Sequence, residues 1–157
     1  MTEKKDLMDQ AFAALLSDDD KKVLGALACV QERGDARAIF PLLHALAKTA
    51  DHQRQQKIHE LLYEVKVKDA AAELARALDE PALRGVRKTV IATFWNAGLD
   101  ASPYTDKLIT CAVEGTAEEC FECLTVLENQ EVLSEKAVLR GIKDVSAAIA
   151  VNTDDYK

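Results

Sequence analysis

Apolar residues return every three or four positions along almost the whole chain, in runs such as VLGALACV, KIHELLYEV, VIATFWNAG and FECLTVLEN. That spacing lays an apolar stripe along one side of a helix. The polar punctuation between the runs is helical too. Ser17 followed by three aspartates, Thr116 followed by Glu119, and the pairs Glu80-Pro81 and Ser102-Pro103 place acceptors, negative charge or a first-turn proline at points where helices begin. Together these signals predict nine helices, over residues 3–16, 19–33, 36–49, 52–66, 69–79, 81–97, 103–114, 117–128 and 133–150. A tail, 152–157, should fray. The connections are only a few residues long, so consecutive helices should pack as antiparallel neighbours.

The pattern repeats. Acidic turns fall at Asp35, Asp69, Asp100 and Glu131, in steps of 34, 31 and 31 residues. The four runs quoted above take equivalent places before those turns. AIFPLLHALA, AAAELARALD, PYTDKLITCAV and EKAVLRGI take equivalent places after them. Two helices per unit of about 33 residues describe a helical solenoid, in which each pair buries its apolar faces against the next. Residues 1–157 then form a single all-α domain, with residues 1–17 as an N-terminal capping helix.

The segment AIFPLLHALAKTADHQRQQKIHELLYEV resembles a HEAT repeat, with Pro41, Asp51 and Lys57 standing near the proline, inter-helix aspartate and basic residue of that pattern. The resemblance to the HEAT-like and armadillo-type solenoids covers most of the chain. It implies a right-handed α-α superhelix of about four helix pairs. It also implies that the second helix of each unit (19–33, 52–66, 81–97 and 117–128) lines a concave face where a partner protein binds. The first turns of those helices carry Lys21 and Lys22, then Arg54 and Lys57, then Arg84, Arg87 and Lys88, whereas the fourth brings Glu118, Glu119 and Glu122. A ridge that runs from basic to acidic could orient a partner of complementary charge, although charges on exposed helix faces are commonly just solvated.

Composition narrows the function classes. Apolar residues make up 48% of the 157 but aromatics only 5%, a balance that favours helix over sheet. The net charge of −7 lies wholly in the second half: residues 99–157 hold 12 acids against 5 bases. This argues against nucleic-acid binding, which uses a basic face. The opening MTEKKDLMDQ lacks the apolar core of a secretory signal, and no apolar run reaches the ~20 residues that span a bilayer. The expectation is therefore a cytoplasmic protein whose four thiols stay reduced.

The candidate chemistry is thin. Cys120 and Cys123 in CFEC could hold a metal or exchange a disulfide, but structural zinc takes four ligands and Cys111 is the only further thiol close in sequence. The glutamates around the pair would raise rather than lower the thiol pKa. Ala117, Cys120, Phe121, Leu124 and Leu127 are instead needed as the buried stripe of their helix, with Cys123 beside them. His59-Glu60-Leu61-Leu62-Tyr63 misses the second histidine of a zinc-protease helix, so His52 and His59 read as surface or groove-edge residues. His44 falls on a polar edge with Arg37 and Lys48. Trp95 reads more readily as core than as interface, and Tyr104 as either.

No phosphate-binding glycine loop and no nucleophile elbow is present. The reading is a non-catalytic adaptor, scaffold or assembly factor with no cofactor and no metal, binding an unidentified protein through Arg54, Lys57, Arg84, Arg87, Lys88, Glu118, Glu119 and Glu122. Nucleic acid and membrane are not expected partners, and the chain is expected to be a monomer or a homodimer. Two alternatives stand beside this reading. One is an enzyme or lyase-type accessory subunit on the same scaffold. The other is a homodimeric structural protein that stacks through its last helix.

Overall fold

The computed structural model describes residues 2–152, and the expected fraying of 153–157 lies outside them. Among the described residues there are nine α-helices and no strand: α1 (Thr2–Leu15), α2 (Asp20–Arg33), α3 (Ile39–Lys48), α4 (His52–Tyr63), α5 (Ala70–Ala77), α6 (Arg87–Asn96), α7 (Thr105–Glu114), α8 (Ala117–Glu128) and α9 (Glu135–Val151).

Three helices expected to be continuous begin instead as 3₁₀ turns, at Ala36–Ala38, Pro81–Val86 and Ser102–Tyr104. Each contains or precedes a proline. Pro41 has no N–H to bond the Arg37 carbonyl four residues back, so the α-helical ladder starts only after that point. The caps differ from expectation in two places. Asp19, rather than Ser17, accepts the first N–H groups of α2, while Ser17 Oγ accepts from the Asp19 N–H. At Ser102 the acceptor is Asp100, whose carboxylate takes both the N–H and the hydroxyl of Ser102. The capping box at Thr116 and Glu119 forms as expected. α6 ends on Gly98, whose φ of 65° closes the helix while the Leu99 N–H reaches back to the Phe94 carbonyl at 2.8 Å.

Each helix packs on its chain neighbour or on the helix two further along. α2 meets α4, α4 meets α6, and α6 meets α8; α1 meets α3, α3 meets α5, and α7 meets α9. Long-range polar links keep the same step. Arg54 pairs with Asp20, Lys107 with Asp79, Lys88 with Glu118 and Arg140 with Asp106. The last three span 28, 30 and 34 residues, the length of one sequence repeat. Equivalent positions of adjacent units therefore touch.

One apolar core runs from Met8, Ala11 and Leu15 of α1 through Leu27, Leu43, Leu62, Leu74, Ile91 and Phe94 to Leu108, Cys123 and Val126. The two ends differ. α1 contributes three buried residues, whereas the only buried residue of α9 is Gly141. The stripe expected on α8 is not the buried one. Phe121 and Leu124 are exposed, and Cys120 is half-buried. Glu119, Cys123 and Val126 turn inward instead, because the ion pair of Glu119 with α6 sets the rotation of the helix.

Candidate functional site

The buried polar centre of the molecule lies where α6 meets α8. Arg87 donates from Nε to Glu119 Oε1 at 3.0 Å and from Nη2 to Oε2 at 2.8 Å, and the two side chains are 13% and 8% exposed. This two-pronged geometry is the strong form of a charge-assisted hydrogen bond. Glu119 Oε2 also accepts the Thr116 N–H at 2.8 Å, so one carboxylate caps its own helix and anchors the neighbouring unit. Gly115 makes room for it: a Cβ there would lie 2.3 Å from Glu119 Oε2 and 2.5 Å from the Cys111 carbonyl oxygen. The bond to Glu119 holds the Arg87 guanidinium firmly charged.

A second group of side chains spreads over the outer side of α4, α6 and α8. Trp95 is 39% exposed, and its indole N–H donates to Glu122 Oε2 at 3.0 Å. Lys88 Nζ meets Glu118 Oε2 at 3.1 Å. On α4, His59 stacks on Tyr63 with ring centroids 5.7 Å apart, and its Nε2 shares a hydrogen bond of 3.1 Å with Thr89 Oγ1. Burial pushes the Tyr63 hydroxyl pKa up, with Glu122 adding to the rise and Lys88 opposing it, so the α4 aromatic pair and the α6–α8 charges share one neighbourhood.

The eight residues singled out from the sequence thus divide. Arg87, Lys88, Glu118, Glu119 and Glu122 come together, but they bond to one another or to Trp95 across α6 and α8. Arg54 reaches Asp20 on α2, and Lys57 lies 3.6 Å from Glu60 on its own helix. Arg84 stands apart in the 3₁₀ turn, beside Asp79, Leu83 and Arg87 in a small cleft. The basic-to-acidic ridge is largely neutralised from within. The sequence reading placed Trp95 in the core, whereas it is 39% exposed, and it gave Tyr63 no role beyond breaking the zinc-protease motif. The available signal was Glu122, which stands about one repeat after Trp95.

The two buried thiols are held in the protonated form. Burial raises the pKa of both Cys111 and Cys123, and each carries the other's or Glu119's charge as a further upward influence. All four cysteines are free, and no group of three or more His, Cys, Asp or Glu side chains among the described residues is placed to hold a metal ion. His44 is half-buried against Phe40, with ring centroids 6.3 Å apart. No helix among the described residues is long and apolar enough to cross a membrane. No protein-family model matches the chain, and neither a curated protein nor a solved structure resembles it significantly.

Partial burial shifts the titration of His59. Burial lowers its pKa below the ordinary 6.5, so the folded state favours the neutral ring. The sign follows: the contribution is fully present above the unfolded value and is lost as pH falls through about 6.5 toward the lower folded value. Urea midpoints measured across that window should fall for the wild type and stay flatter for His59→Gln; equal slopes would mean that His59 is not the group responsible. Asp35 and Asp100, whose pKa values are lowered by their bonds to Arg37 and Ser102 from an ordinary 3.8, titrate well below this window.

Proposed function

We propose that the chain is a HEAT-like solenoid of about four helix pairs that works as a non-catalytic protein-binding module in the cytoplasm. Its partner would sit on the side formed by α2, α4, α6 and α8. The observation that carries this reading is the cluster of Tyr63, Lys88, Trp95 and Glu122 across three successive even-numbered helices. A tryptophan held part-exposed by a side-chain hydrogen bond, with a tyrosine and charges around it, has the composition of an interface centre. The unit-length step of packing and ion pairing supports the solenoid. The same step would leave the even-numbered helices side by side as one continuous surface.

Within this reading Arg87 and Glu119 shape the surface rather than touch the partner. Arg54, Lys57, Arg84, Lys88, Glu118 and Glu122 remain the charged rim, where a substitution changes association rate and salt dependence more than affinity.

The test compares tagged wild type with the double variant Tyr63→Ala/Trp95→Ala, each captured gently from the native host and weighed intact by native mass spectrometry. A protein that accompanies the wild type in fixed stoichiometry, and is lost by at least about tenfold from the variant, supports the proposal, provided the variant keeps its helical circular dichroism. Equal retention by both would remove the face from consideration.

A further inference from the structure

The rule of packing that runs through the molecule is incomplete at one end. α4 lies on α2 and α3, α6 on α4 and α5, and α8 on α6 and α7. No described residue covers the corresponding side of α8 and α9. Both helices present apolar residues there. On α9, Ala137, Gly141, Val145 and Ala148 form the half-buried to buried side, and Gly141 lets the backbone close on Ile109, whose Cδ1 would be 3.3 Å from a Cβ.

Val138, Ile142, Val145 and Ile149 then follow at spacings of four, three and four residues as a second stripe. Ile142 is 59% exposed and Ile149 more so. On α8, Glu118 and Glu122 point to α6, so Cys120, Leu124 and Leu127 fall on the opposite side. Between the two stripes runs an apolar groove of about 330 Å³, walled by Leu127, Leu133, Val138 and Ile142 and floored by Ile109.

We infer that this groove is a docking site for a basic amphipathic helix of a partner protein. The groove's shape and its apolar walls suit a helix laid between two helices. Its charge selects which helix. Glu128, next to the groove residue Leu127, and Glu135, two positions before the groove residue Ala137, are exposed and form no ion pair with any described residue. Lys136 and Lys143 fall on the far side of α9 from its apolar stripe.

A second copy is the poorer occupant, because an isologous contact sets the same patch against itself and brings acid to acid. A helix with apolar residues at i, i+3, i+4 and i+7 and Lys or Arg beside them fills the groove and neutralises its rim. None of the residues that line this groove lines the cavity beside Trp95, and the inference does not rest on the Trp95 surface.

The experiment uses the full chain and two fluorescein-labelled 18-residue peptides. Both carry leucine at one helical face; one has lysine and the other glutamate at the remaining positions. Fluorescence anisotropy should show the lysine peptide binding, more weakly as salt rises, and the glutamate peptide not binding. Ile142→Glu should cut the affinity at least tenfold. The double variant Glu128→Lys/Glu135→Lys should reverse the preference between peptides, whereas Trp95→Ala should leave it unchanged.

Three outcomes would overturn the inference. Failure of the lysine peptide to bind the monomeric wild type is the first. Equal binding to wild type and Ile142→Glu, which would mean diffuse charge attraction, is the second. A native mass of twice the chain that Ile142→Glu halves would assign the groove to a second copy instead.

Discussion

Arg87→Ala should lower the unfolding free energy by about 3–5 kcal/mol, the range for removing one member of a buried ion pair. The loss arises less from the missing attraction than from what is left behind. Glu119 is nearly inaccessible and receives two bonds from Arg87. Without them its buried carboxylate loses both guanidinium donors, while the bond from the Thr116 N–H remains. Glu119→Ala should cost a similar amount and also remove the capping box, worth about 1 kcal/mol more.

Urea denaturation of the two single variants and of the double replacement Arg87→Met/Glu119→Leu separates the causes. The apolar pair should recover most of the loss, because no charge is then stranded. Single-variant losses under about 1 kcal/mol would place the pair with solvent-screened surface bridges, and α8 would need another explanation for its rotation.

Phe94→Ala should be comparably severe, at about 3–5 kcal/mol. Phe94 is fully buried in the middle of the core, leans on Tyr104 at a centroid distance of 6.2 Å, and ends the helix through its carbonyl bond to Leu99. Truncation leaves a cavity between α6 and the turn that leads to α7, and neighbours held by Pro103 and the 3₁₀ turn can collapse into it only in part. Domains of this size are stable by only about 5–15 kcal/mol, so the variant should unfold at markedly lower urea with little change in slope. Phe94→Leu, which keeps most of the volume, should lose less than half as much. Equal losses for both would point to the ring's contact with Tyr104 rather than the cavity as the source.

Much of the helical framework could be read directly from residue order. The nine helices, their short connections and the unit-length repeat follow from apolar spacing and capping residues, which act over three or four positions. The departures at Pro41, Pro81 and Pro103 are also local, since each proline withholds one N–H and the first turn tightens in response. The candidate surface was legible only as residue types. Lys88, Glu118 and Glu122 could be named from their places in the repeat, but nothing along the chain shows that they spend their charge on one another or on Trp95.

The two apolar stripes of α8 mark the boundary between these levels. From its sequence alone the helix can bury Ala117, Cys120, Phe121, Leu124 and Leu127, or Cys123 and Val126 with Glu119 between them; both sets have helical spacing. Apolar count favours the first. The tertiary structure takes the second, because Glu119 inward meets Arg87 and completes a charged pair that neither helix could satisfy alone. Local spacing thus determined that α8 is a helix, while a contact 32 residues away in sequence decided which side faces the core and left Phe121 and Leu124 exposed.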